Sequence, residues 1–228
     1  MIRRDYLLRQ IEQFVAMLAK IAGLARDGQW PGASATVAGE FQRLAGANGP
    51  EVLKMSDTEL LARLIEGEPA QGVETKAFML ATLLKSNGDL LAGQGRLEES
   101  RRYYLKGLQL LLDAYGRNEI TGRPDFVPAV ETFLTGLYDA PLPLPTGAML
   151  MHHYERVGEF AKAEDILFGL LDAEPAKVEL LDFGAAFYRR LLGLSDEVLA
   201  AGNLPRAEVE AGLTELEKRK ARAGRTAA

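Results

Sequence analysis

The chain has no cysteine, one tryptophan and only two histidines among its 228 residues. Without cysteine there are no disulfides, Fe–S clusters, cysteine-rich zinc sites or thiol nucleophiles, and the absence fits a reducing compartment. The two histidines, His152 and His153, are adjacent. On a helix they point about 100° apart, so they do not share a metal. His152 and Glu155 have i, i+3 spacing, but a bundle metal site uses a second carboxylate–histidine set that the chain does not offer. An excess of cations is also missing: 27 Lys and Arg against 32 Asp and Glu give a net charge of -5. That balance argues against a nucleic-acid partner, whose phosphates need neutralising. No apolar run, including Phe78 to Leu84, approaches the roughly 20 residues that span a bilayer. Met1-Ile2-Arg3-Arg4 starts like a signal peptide, yet Asp5, Arg9, Gln10, Glu12 and Gln13 stand where its apolar core belongs. A cytoplasmic chain with no membrane partner is expected.

Phosphate-cradling loops of the G-x-x-x-x-G-K-[ST] or G-x-G-x-x-G type are absent, and so are G-x-S-x-G and H-E-x-x-H. These absences predict no cofactor. What remains is 47% apolar and 26% charged residues, enough for a substantial core.

The apolar pattern is helical throughout. Leu7, Ile11, Phe14, Leu18, Ile21 and Ala25 recur in steps of four and three, predicting a helix from Ile2 to Asp27. The stripe from Leu7 to Ala25 is also a candidate homodimer seam. Further helices are predicted over Ala33 to Leu44, from the Ser56/Glu59 capping box to Glu66, and over Glu74 to Ala92 and Leu97 to Tyr115. A loop from Gly116 to Arg123 leads to a helix over Pro124 to Tyr138. Pro141, Pro143 and Pro145 predict an extended segment over Ala140 to Pro145. Thr146 then caps a helix to Val157, and others cover Glu159 to Ala173, Lys177 to Leu192, Ser195 to Ala201 and Pro205 to Arg222. The fold class is all-α. It is read as one domain over 1–228, divisible into an N-terminal bundle, 1–139, and C-terminal hairpins, 146–228.

Four turns share a pattern: Gly28-x-Trp30-x-x-Ala33, Gly95-x-Leu97-x-x-Ser100, Gly158-x-Phe160-x-x-Ala163 and Gly202-x-Leu204-x-x-Ala207. The glycine permits a tight turn, the large residue plugs the hairpin end, and the small residue lets the second helix approach the first. Leu97 and Phe160 are therefore expected to be buried.

This pattern resembles the tetratricopeptide repeat, whose unit is a helical hairpin of about 34 residues. Leu84, Asn87, Gly88, Leu91, Ser100 and Tyr104 fall on its signature positions in one copy, and Leu150, Met151, Tyr154, Ala163, Leu167 and Pro175 in the next. Asn87 and Met151 depart from it, and the turns stand further apart than one repeat. The resemblance covers Ala81 to Pro175 and implies an irregular array of antiparallel hairpins forming a right-handed α-α superhelix. Met1 to Tyr6 and Gly202 to Arg206 also resemble a bacterial family of uncharacterised proteins.

In the repeat family the first helix of each unit lines a concave surface, which places Lys85 and Asp89 there from one repeat and His152, Glu155 and Arg156 from the next. Lys85 matches the lysine of members that clamp a peptide's C-terminal carboxylate. Asp89 and Met149 replace their asparagines, so chaperone tails are not the expected partner. The resemblance implies a non-enzymatic scaffold binding a protein or peptide. The alternative is an α-helical enzyme or small-ligand protein with an acid–base site at Asp89, His152 and Glu155; a third reading is a structural subunit with an exposed apolar patch. The basic cluster Lys218 to Arg225 is read as complementing the negative end of the last helix.

Overall fold

A computed structural model describes residues 2–66, 70–117, 123–137, 140–175 and 177–226. Among them there are helices and no strand. Two compact units divide the chain, Met1–Asp139 and Ala140–Ala228.

The first unit is built on two long hairpins. α1 (Ile2–Arg26) turns into α2 (Trp30–Ala45), and α5 (Ala70–Gly93) turns into α6 (Leu97–Arg117). Between them lie two short helices, α3 (Gly49–Lys54) and α4 (Asp57–Ile65), while α7 (Val130–Leu137) packs on α6. The capping box expected at Ser56 is present: its Oγ accepts from the Glu59 amide at 3.2 Å, and the Glu59 carboxylate accepts from the Ser56 amide at 2.8 Å. α3 adds to the expected elements. Asn48 and Glu51 form a second capping box, each side chain accepting from the other's amide at 3.0 Å, and this signal is present in the sequence. α5 begins earlier than the Glu74 expected, and α7 is shorter than the Pro124 to Tyr138 helix expected. The loop residues 118–122, with Tyr138 and Asp139, lie outside the described residues.

The second unit contains α8 (Leu144–Arg156), α9 (Phe160–Ala173), α10 (Val178–Leu192), α11 (Asp196–Ala201) and α12 (Arg206–Thr226). α8 pairs with α9 and α10 with α12. Arg206 locks the end of α10, donating from Nη2 to the Leu194 carbonyl at 2.6 Å. The proline segment is irregular only over 140–143. Leu144 and Pro145 belong to α8 because proline in the first helical turn loses no hydrogen bond and arrives with helical φ. Pro143 occupies the N-cap, and Thr146, expected there, is fully buried within the helix.

The turns share one mechanism. Gly28, Gly95 and Gly158 have φ of 70°, 76° and 79°, and the next residue's amide reaches back to the carbonyl five residues earlier: Gln29 to Leu24, Arg96 to Leu91 and Glu159 to Tyr154, at 2.8–2.9 Å. In the fourth turn the same bond runs from Leu204 to Leu199 at 3.1 Å, and the left-handed residue is Asn203. The fourth copy is thus shifted by one residue from its expected register. Ala207 is exposed, whereas Ala33, Ser100 and Ala163 are buried.

Burial of the plugs depends on the neighbour that each hairpin end meets. Phe160 is 4% exposed because it lies on Gly202 of the next turn, where the Ala161 amide also donates to the Gly202 carbonyl at 3.1 Å. Trp30 packs on Gly93 at the end of α5. Leu97, expected to be buried, is 43% exposed; the Gly95 turn is the last of its kind in its unit, so no later turn within the unit covers it.

Candidate functional site

A cleft with a volume of about 370 Å³ lies in the first unit where α4 meets α5 and α6. Leu64, Ala77, Leu110 and Ala114 make a buried apolar floor, with Leu61 and Val73 half-buried above it and Ile65, 50% exposed, at its mouth. α4 is held there by Lys106 of α6. The buried stem of Lys106 carries an ammonium that donates to the Met55 carbonyl at 2.9 Å and to Asp57 at 2.8 Å. Both neutral and charged acceptors are needed, because a buried ammonium without them pays its full desolvation cost.

The rim is acidic. Asp57 is matched by Lys106, and Asp113 accepts from Arg117 Nε at 2.7 Å, which holds the guanidinium above its ordinary range. Glu74, half-buried on α5, has no partner among the described residues and leaves one negative charge beside an apolar hollow. Such a hollow can hold an aliphatic or aromatic side chain and attract a cation next to it. None of these lining residues stands out in the sequence as a candidate site. The available signal is the doubled apolar positions of α4: Leu60 and Leu64 enter the core, while Leu61 and Ile65 form the cleft wall.

A second cleft of about 180 Å³ lies between α1 and α5, the first helices of the two hairpins. Leu18, Ala22, Ala25, Trp30 and Leu90 line it, and Asp89 stands at its edge. Asp89 accepts from Lys85 at 2.8 Å with one oxygen and from the Tyr104 hydroxyl at 2.6 Å with the other. Lys85 and Asp89 therefore meet as an ion pair beside a cleft.

The other three expected groove residues belong to the second unit. Glu155 accepts two bonds from Arg190, at 2.7 and 2.8 Å. His152 is exposed, with Nδ1 3.8 Å from the Glu155 carboxylate and its ring edge-on to Phe183. Arg156 is exposed. The structure gathers His152 and Glu155 on one face of α8 and leaves the Glu155 carboxylate engaged by Arg190. Elsewhere in this unit the buried Tyr188 hydroxyl donates to Glu164 at 2.6 Å. Burial pushes the Glu164 carboxyl above its ordinary range, helped by the nearby charges of Glu208 and Asp165, against the opposing Tyr188 bond.

Among the described residues there is no group of three His, Cys, Asp or Glu side chains able to hold a metal, and no helix long and apolar enough to cross a membrane. The molecule is thus an all-α protein of helical hairpins with an apolar, acid-rimmed cleft. The chain belongs to the family of unknown function DUF6483, whose model matches residues 1–221. No curated protein and no solved structure matches it.

Proposed function

We propose that the chain is a non-enzymatic helical scaffold, an irregular tetratricopeptide-like array, that holds a protein or peptide partner. The observation that carries this reading is the 370 Å³ cleft of α4, α5 and α6, with its apolar floor and the unmatched charge of Glu74. A partner segment presenting one large apolar side chain next to a lysine or arginine fits it: the apolar group leaves water, and the cation meets Glu74 where the low-dielectric floor strengthens their attraction. Lys85 and Asp89 in the first unit, and His152, Glu155 and Arg156 in the second, remain candidate partner contacts, each set within its own unit.

Affinity capture from the native source, followed by mass spectrometry, tests the reading with three baits: wild type, Ile65→Asp and Val73→Asp. Partners recovered by the wild type and lost from both variants, with helical circular dichroism retained, support it. Equal recovery by all three baits places the binding surface elsewhere.

A further inference from the structure

α1 carries two apolar faces, and its own unit uses one. Phe14 and Ile21 are buried, Phe14 edge-on to Phe126 and Ile21 beside α5, which removes them from the dimer seam expected over Leu7 to Ala25. One residue further around the helix runs a second stripe: Leu8, Ile11, Val15, Leu18, Ala22 and Ala25, in steps of three and four. Leu8 and Val15 are 49% and 43% exposed, Ala22 is exposed, and Ile11, Leu18 and Ala25 are half-buried. The stripe extends about 26 Å along the helix at 1.5 Å per residue. Its large residues stand at the N-terminal end and its alanines at the C-terminal end, where they open into the cleft under Trp30 and Leu90.

We infer that this stripe is the interface of an antiparallel homodimer. Two-fold pairing of α1 with itself sets Leu8 opposite Ala25 of the second copy, Ile11 opposite Ala22 and Val15 opposite Leu18. Every layer along the seam is then filled, and each Leu8 enters the other copy's α1/α5 cleft. Parallel pairing would set Leu8 on Leu8 and Ala25 on Ala25, leaving a gap at the alanine end that close packing penalises. Charge favours the same direction. Glu12 and Arg26, both exposed, flank the stripe on one side. Antiparallel pairing faces that side with itself and brings Glu12 of one copy towards Arg26 of the other. The interface is isologous and closes at two copies, so it does not propagate into filaments. It uses neither the α4/α5/α6 cleft nor Glu74, and stands or falls separately from the function proposed above.

Sedimentation equilibrium of the full chain at tens of micromolar tests the pairing. A dimer is expected for the wild type. Leu8→Asp and Val15→Asp, at exposed positions, should each raise the dissociation constant by about 100-fold or more while leaving the circular dichroism unchanged. The absence of native cysteine allows a direct test of direction: Leu8→Cys and Ala25→Cys proteins, mixed and oxidised, should cross-link to each other in preference to themselves. A wild type that sediments as a monomer, or a Leu8→Cys protein that cross-links to itself as readily as to Ala25→Cys, overturns the inference.

Discussion

At the scale of single residues, the same side-chain role has different energetic weight depending on what closes over it. Phe160 and Leu97 occupy equivalent places after Gly158 and Gly95, yet only Phe160 is buried. Phe160→Ala should cost about 3–5 kcal/mol by opening a cavity at a packed hairpin end, whereas Leu97→Ala should stay within about 0.5 kcal/mol. Urea denaturation monitored by circular dichroism distinguishes the two. Gly202→Ala should cost about 1–3 kcal/mol or more, because its new methyl group would press on the Phe160 ring and stand 2.6 Å from the Gly158 carbonyl, a backbone atom with little room to yield. Tyr188→Phe removes the donor to Glu164 and should cost about 1–3 kcal/mol at neutral pH. Glu164 sets the sign with pH. Its folded-state pKa is raised, so its ionised form weakens the fold at neutral pH, and that weakness disappears as pH falls through the raised value. Without Tyr188 the carboxylate loses its one stabilising bond, so the deficit of the variant should be greatest at neutral pH and shrink in acid. A deficit that grows on acidification would show that Glu164 is not the group involved.

At the scale of elements, short helices rely on their ends. α4 has only 9 residues, and its start is held by the Ser56/Glu59 box and by Lys106 reaching Asp57 and the Met55 carbonyl. The bonds from Ser56 lower the Glu59 carboxyl below its ordinary range. A depressed folded-state pKa contributes stability above the ordinary carboxylate range, and that contribution is lost as pH falls through the folded value. Ser56→Ala should therefore lower the melting temperature at pH 7, and its effect should shrink as pH falls through the lowered Glu59 value. Since α4 forms one wall of the larger cleft, the same substitution should weaken capture of the proposed partner without touching a lining residue.

At the scale of the whole molecule, the two compact units can be followed by different reporters. Trp30 is the only tryptophan and lies in the first unit against Gly93. Its fluorescence reports that unit, while far-ultraviolet circular dichroism reports both. Phe160→Ala should accordingly lower part of the circular dichroism transition and leave the Trp30 transition near its wild-type temperature. Coincident shifts of both signals would mean that the units unfold as one cooperative body.

Helices and their breaks were legible in the sequence because both are local. A stripe at a period of 3.6 residues, a capping box or a glycine with a large apolar residue two positions later acts within one or two turns of the chain, and the residues around Ser56, Gly95 and Gly158 behave as their spacing predicts. Features that depend on a distant segment were not legible. Whether Leu97 or Phe160 is covered depends on which turn arrives next. In the fourth turn the left-handed residue is Asn203, and the Phe160 ring lies where a side chain on Gly202 would stand, a contact set by a segment more than 40 residues away. The stripe of α1 divides into a core face and an outward face only because α2 and α5 approach from one side. The larger cleft gathers Leu61, Glu74 and Leu110 from three helices, and no spacing along the chain relates them. Local sequence determines which segments are helical, because a helix satisfies its backbone within itself; the faces that remain open are decided by the tertiary structure, because burial depends on every neighbouring element together.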